Sequence, residues 1–402
     1  MIIRYKKGNL INAIIYGAYI ISYLTVLIIY GMGTSVANIR YYLLFGAVLV
    51  AGLTMLITKG KEKIYGKTVL SIVFLSVFLL IMSYVKAKSV GMPLVMRTYI
   101  QISLILLPAL YSFELINLFS IKSINKLMKF TLFFLILMYL LEPKHNLIQL
   151  LTLKNWLAID IFHSVSFTES NICSESFLQL FLFFLFFSDA QDDDLSINNK
   201  NNKLCLILSF IFTILSFKRL GLVFAIAMIF VKKFVDIRAE ISKKNIFIFT
   251  LIFTLLTFFY TKIMMGEMFA NLDLFKLTTG RNYILSLWEA KNYFSYGYGT
   301  SMLVIDRYLE MDLLQIFLEL NIISVFIFCF CFFINAKKNL YSFMIMFYAF
   351  ANMLTASSLP YSLGWILLFI TVFCVSTDKC KEEGIKININ YNKYKKLFQK
   401  KK

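Results

Sequence analysis

The sequence predicts an all-α, polytopic integral membrane protein with about twelve transmembrane helices and both termini in the cytoplasm. Three observations predict this. First, hydrophobic residues are 59% of the 402-residue chain and charged residues 16%, against about 45–50% and about 25% in soluble domains. A soluble fold of this composition could not cover its core with polar surface. Second, the apolar stretches are long and continuous. A transmembrane β-barrel would alternate over segments of about 10 residues, and a chain with 42 Phe and 23 Tyr is too apolar to stay disordered. Third, the basic residues fall on every second connection, as the positive-inside rule requires.

The apolar segments, in order, are 11–30, 41–58, 68–85, 93–115, 127–141, 171–188, 204–217, 220–231, 246–263, 312–333, 340–357 and 361–376. Most approach the roughly 20 residues that a span needs. The first is too long for a signal-peptide h-region and has no small-residue cleavage site after it, so it reads as a span that stays. Arg4, Lys6 and Lys7 precede it, and Lys59, Lys61, Lys63 and Lys67 follow the second span. Further clusters lie at Lys122–Lys129, Lys200–Lys203, Lys232–Lys244 and Lys337–Lys338, and nine more Lys follow residue 376. These place 28 of the 41 basic residues on one side, while the acids divide evenly. The basic side is cytoplasmic, the span count is even, and the charge needs no nucleic-acid partner.

Segments 204–217 and 220–231 are short, but merging them would carry the basic cluster at 232–244 outside. They read as two spans whose connection, Ser216-Phe217-Lys218-Arg219, is recessed below the outer surface. The whole chain, 1–402, is one transmembrane domain. It carries a first long extracytoplasmic loop, 142–170, a main one, 264–311, with short helices, and a basic cytoplasmic tail, 377–402. The tail reads as a topology determinant that attracts anionic headgroups. Within the main loop, Asn282 to Tyr293 is amphipathic, and Thr279 is placed to cap a helix starting near Arg281. Free N–H groups at such a terminus favour an anion.

Cys173, Cys205, Cys329, Cys331, Cys374 and Cys380 show no metal-ligand spacing and read as small buried hydrophobes. Asp192-Asp193-Asp194, in a cytoplasmic loop, reads as a solvated turn. Charges inside the spans are more telling, because they are costly in lipid and line cavities or pair with each other. Arg97, Glu175 and Glu319 all enter from the outer side. One reading is internal pairing, for instance Arg97 with Glu175. The other is a single outward-facing cavity holding Arg97, Glu169, Glu175, Lys218, Arg219, Arg281, Asp312 and Glu319. Arginine forks match phosphate oxygens, and a carboxylate nearby can act as a base.

Three stretches then resemble the Wzy-type polysaccharide repeat-unit polymerases of the O-antigen ligase/polymerase superfamily. Phe167-Thr168-Glu169-Ser170-Asn171 is similar to the family's F-x-E-P-N start of a span. Ser216-Phe217-Lys218-Arg219-Leu220-Gly221 is similar to its S-x-S-R-x-G turn. Gly280-Arg281, Trp288, Gly297-Tyr298-Gly299, Asp312 and Glu319 before Ile322-Ile323 follow the family's G-R…W…G-x-G…[HD]…G-I-I-G order, with Asn321 where glycine is usual. The histidine that ligases and many polymerases carry after the main loop is replaced by Glu310-Met311-Asp312, and His145 and His163 lie in the other outer loop.

The resemblance implies transfer of a growing glycan from undecaprenyl pyrophosphate to the non-reducing end of another lipid-linked repeat unit. The reaction would take place at the outer face of the bacterial cytoplasmic membrane, without metal or cofactor. It implies Arg219, Arg281, Arg97 and Lys218 on the pyrophosphate, and Asp312, Glu169 or Glu319 as base or orienter of the acceptor hydroxyl. Trp288 and Tyr298, with Tyr293 and Tyr296, read as sugar-stacking rings or as interfacial aromatics. The partners implied are the lipid-linked oligosaccharide and membrane lipids, with room for a chain-length regulator. A ligase and a lipid-linked oligosaccharide flippase or transporter are the alternatives. A transporter would carry internal repeats and broken helices.

Overall fold

The computed structural model describes residues 17–20, 42, 45–46, 66–141, 173–216, 218–268, 281–290, 294–305, 309, 311–356, 359 and 362–387. Among the described residues the protein is all-helical, apart from one isolated antiparallel bridge between Ala190 and Ile387. The helices are α1 Gly66–Ser89, α2 Met96–Leu118, α3 Ile121–Leu141, α4 Cys173–Phe187, α5 Lys200–Leu215, α6 Arg219–Phe234 and α7 Lys243–Met264. They continue with α8 Arg281–Ala290, α9 Ser301–Ile305, α10 Asp312–Glu319, α11 Ile322–Asn335, α12 Leu340–Thr355, α13 Ser362–Cys374 and α14 Thr377–Glu382. Four of these, α1, α2, α3 and α7, are long and apolar enough to cross a membrane; α4, α11, α12 and α13 are shorter apolar helices. The expected spans over 11–30 and 41–58 lie almost wholly outside the described residues.

Helix α7 identifies the solvent around the bundle. Its inward face carries Thr250, Thr254, Thr257 and Thr261, all buried. Each hydroxyl donates to the carbonyl four residues earlier, at 2.8 Å. Its outward face carries Leu251, Leu255 and Phe259, 42–47% exposed. A helix in water turns its apolar stripe inward. This one does the opposite, which is stable where the surroundings are as apolar as Leu and close packing drives association. Helix α1 repeats the pattern, with Leu70, Phe74, Val77, Ile81 and Tyr84 exposed at helical spacing. The protein is therefore an all-helical membrane protein.

The interior is aromatic. Phe350 of α12 meets Phe333 and Phe328 of α11 and Phe253 of α7, with ring centroids 4.7, 5.9 and 5.6 Å apart. Phe332 meets Trp365 and Phe369 of α13 at 5.6 and 5.7 Å. Such pairs add about 0.5–1.5 kcal/mol each beyond the area they bury. All six cysteines are free and buried in this interior, as expected of small hydrophobes.

The sequence-predicted break between 204–217 and 220–231 is present: α5 ends at Leu215 and α6 begins at Arg219. A second break was not predicted. The segment expected as one span, 312–333, is two helices, α10 and α11, parted at Leu320–Asn321. Asn321 makes the break stable, because its Oδ1 accepts the Ser324 N–H at 2.8 Å and the Ser324 hydroxyl at 3.0 Å. That is an N-cap placed inside an apolar run.

At the end of the bundle where α3 begins, polar contacts tie the connections together. Lys122 pairs with Asp192 and Asp194 at 2.9 and 3.0 Å, which holds the Asp194 carboxyl below its usual range. The Asp triplet is thus the expected solvated turn, tethered to α3 through Lys122. The buried Lys232 pairs with Asp189 at 3.0 Å and donates to the Leu185 carbonyl and the Ser188 hydroxyl. The start of the basic tail is docked here too. Glu383 accepts the Ile121 N–H at 2.8 Å and pairs with Lys379 at 2.9 Å, and the Gln191 N–H donates to the Lys386 carbonyl at 2.9 Å.

Candidate functional site

The opposite end gathers the polar groups, in two adjoining clusters joined by α10. The first surrounds the turn Tyr296-Gly297-Tyr298-Gly299. Gly297 and Gly299 have φ of 143° and 84°, values that side chains with a Cβ rarely adopt. A Cβ on Gly299 would lie 2.4 Å from Gln101 Cγ, and one on Gly297 would lie 3.2 Å from Thr98 Oγ1. The glycines therefore let the turn press into α2. The Tyr298 N–H donates to Ser83 Oγ of α1 at 3.1 Å.

Glu319 clamps this turn from below. Its carboxylate accepts the Gly299 N–H at 2.6 Å, the Ser301 N–H at 2.8 Å and Gln315 Nε2 at 3.1 Å. Gln315 and Glu319 stand one turn apart on α10, so the amide reaches the carboxylate along one helix face. Arg97 of α2 lies against the same turn and donates from Nη2 to Met302 Sδ.

The second cluster surrounds Glu175 at the start of α4. Asn352 of α12 donates to Glu175 Oε1, and Lys218 and Asp312 are the charges that act on this carboxylate. Asp312 is 1% exposed, and its Oδ2 accepts the Leu359 N–H at 2.9 Å, which pins the connection between α12 and α13. Lys218 is the N-cap of α6 and Arg219 is its first residue, so two cations stand at that helix N-terminus. Gly221 brings α6 close to α4 and α12: a Cβ there would lie 3.3 Å from the Tyr348 hydroxyl and 3.7 Å from Leu178 Cδ2.

This geometry changes several expectations. The described members of the expected cavity divide between these two clusters, Arg97 and Glu319 in the first and Glu175, Lys218, Arg219 and Asp312 in the second. Asp312 and Glu319 are buried and bonded to backbone amides, because a carboxylate in low dielectric must collect donors and irregular backbone supplies them. Both carboxylates thus hold backbone, whereas Glu175 is held by a side chain, Asn352. Trp288 and Tyr298 read from the sequence as sugar-stacking or interfacial rings. Trp288 is 8% exposed and packs with Met264, Ile305 and Leu314, while Tyr298 is 1% exposed in the main core. Neither presents an open ring face.

Arg97 and Lys218 are partly buried and Arg219 is exposed. Arg281 opens α8 as expected, and the amphipathic stretch is that helix. Glu169, Thr279 and the loop 142–170 lie outside the described residues. Sequence reading passed over Glu114 of α2, which is 5% exposed and whose Oε2 has no hydrogen-bond partner; an acid inside the apolar run 102–118 was the available signal. Among the described residues no three His, Cys, Asp or Glu side chains converge as metal ligands.

No protein-family model matches the sequence, and no curated protein or solved structure matches it.

Proposed function

We propose that the chain polymerises lipid-linked oligosaccharide repeat units at the outer face of the bacterial cytoplasmic membrane. The observation that carries this reading is the convergence at Glu175. Asn352 of α12 bonds to Glu175 of α4, and the charges of Lys218 and Asp312, from two further segments, act on that carboxylate at one end of an apolar bundle. Arg219 is next to Lys218 in the chain. Cations at a helix N-terminus beside a carboxylate suit a substrate that carries a phosphate leaving group and a hydroxyl nucleophile. The order of the motifs around these residues, similar to that of Wzy-type polymerases, supports the same assignment.

In this reading Lys218 and Arg219 hold the undecaprenyl pyrophosphate, with Arg281 and Arg97 contributing from α8 and α2. Its departure as an anion needs charge stabilisation more than a proton. Glu175 orients the acceptor hydroxyl and takes its proton. Glu319 and Asp312 keep the two irregular segments in place around the site. Membrane lipids surround the bundle, and a chain-length regulator is a natural further partner.

Surface glycan from cells with and without the chain tests this. Loss of the chain should collapse the ladder to a single repeat unit that still reaches its final acceptor. Persistent long polymer would refute the reading, and long polymer retained on its lipid carrier would indicate a ligase.

A second reading has one observation in its favour. The break between α10 and α11 lies inside an apolar segment, a feature of transporters that bind near the membrane midplane. Under that reading the chain flips the lipid-linked oligosaccharide, and its loss would trap substrate on the cytoplasmic leaflet.

A further inference from the structure

The apolar part of α1, Val69–Ser89, has 21 residues. At 1.5 Å per residue it is about 31 Å long, against a hydrocarbon core of about 30 Å. Its outward stripe carries Val77, Ile81 and Tyr84, which are 49–55% exposed. The next position on that stripe is Lys88, also exposed; the succession 77, 81, 84, 88 stays on one helix face. Lys88 therefore stands at the end of the span, on its lipid side, at the depth of the headgroups. This end is the one that carries the candidate site, since Ser83, within two turns of Lys88, accepts the Tyr298 N–H.

A recess of about 310 Å³ opens at this point, lined by Tyr84 and Lys88 together with the connection Gly91–Leu94. Its volume is in the range of small-molecule sites, about 300–1,000 Å³. Hydrogen-bonded backbone holds its shape. The Met92 N–H donates to the Ala87 carbonyl at 2.9 Å and the Gly91 N–H to the Lys88 carbonyl at 3.2 Å, with Gly91 at φ 71°. That pair of bonds closes a helix on a left-handed glycine. Lys88 is the one charged side chain lining the recess, and among the described residues no carboxylate pairs with it. The helix dipole favours an ammonium in the last turn, but Lys86 is there too, off the outward stripe and outside the recess.

We propose that this recess binds the headgroup of one glycerophospholipid that carries a single negative charge. Its phosphodiester lies on the Lys88 ammonium and the Tyr84 hydroxyl, and an acyl chain runs down Ile81 and Val77. One lysine matches one phosphodiester charge; a lipid pyrophosphate brings more charge than this recess neutralises. Met92, Pro93 and Leu94 suit the apolar side of the glycerol esters. The inference does not rest on the polymerase reading.

The test is native mass spectrometry of the full chain released from nanodiscs that hold equal phosphatidylglycerol and phosphatidylcholine. The wild type should retain one phosphatidylglycerol in preference to phosphatidylcholine. Lys88→Gln should lower that retention roughly fivefold, while Lys88→Arg and Lys86→Gln should keep it. Equal retention of the two lipids overturns the proposal. So does an equal loss in Lys86→Gln, which marks diffuse attraction and no site. Displacement of phosphatidylglycerol by an equal amount of undecaprenyl pyrophosphate also overturns it and assigns the recess to that lipid. If Lys88→Gln does not accumulate, a density map of the wild type in the same nanodiscs decides: phosphate density beside Lys88 Nζ supports the proposal, and an empty recess overturns it.

Discussion

Glu319 accepts the backbone N–H of Gly299 at 2.6 Å across twenty residues of sequence, and the Ser301 N–H at 2.8 Å with its other oxygen. One buried side chain thus satisfies two backbone donors that a turn pressed into the protein interior would otherwise leave bare.

Replacing that clamp has a defined cost. Glu319→Gln turns one acceptor into a donor facing an N–H, which should destabilise the protein by about 1–3 kcal/mol. A lower Tm in detergent or nanodiscs, with the same helical content, checks this. An unchanged Tm would remove the clamp from the account.

Gly299→Ala should be at least as damaging. It forces a Cβ into φ +84° and to within 2.4 Å of Gln101 Cγ, and strain of this kind costs about 1–3 kcal/mol. Gly91→Ala is the control, since it also has positive φ, +71°, but meets nothing within 4 Å. The expected order of Tm is wild type, Gly91→Ala, then Gly299→Ala. Equal losses in the two variants would mean that packing at the turn contributes nothing.

The carboxylates separate by role. Glu175→Gln keeps the acceptor for Asn352 but cannot take a proton, so polymer should be lost from a protein with near-normal Tm. Asp312→Asn keeps an oxygen for the Leu359 N–H and should retain polymer. The reverse pattern, read on a glycan gel with accumulation measured alongside, would return the base to Asp312.

Arg219→Ala and Arg281→Ala should abolish polymer while the protein inserts and accumulates. Arg281→Lys should also be poor, because an ammonium lacks the two-point fork. Wild-type polymer from both alanine variants would sink the pyrophosphate assignment.

The two faces of α7 give a test of orientation in lipid. Leu255→Trp should be quenched by brominated acyl chains, and Leu255→Lys should insert poorly, since lysine at a span centre costs about 2.5–3.5 kcal/mol. Absence of quenching would place that face against protein.

The helical membrane class, the interruption at Ser216–Lys218 and the concentration of Arg97, Glu175 and Glu319 toward one end were legible in the sequence. Apolar run length and charge position report directly on burial in lipid. The break at Leu320–Asn321 was not legible, because Glu319 and Asn321 sit within a run that is otherwise apolar on both sides, and only the cap from Asn321 to Ser324 marks it. The use of Glu319 and Asp312 as backbone clamps was also hidden. Their partners lie 20 and 47 residues away, and a periodicity argument sees only neighbours. Gly297-Tyr298-Gly299 was visible as a motif. That the turn is buried against α2 follows only from where the chain returns.

The central claim is chemical, and purified protein in nanodiscs tests it most directly. Given a single lipid-linked repeat unit and no other protein, the chain should produce a ladder of longer glycans and release one lipid pyrophosphate per new linkage, and Glu175→Gln should produce neither. A substrate that crosses the bilayer but stays one unit long would contradict the account and favour the transporter.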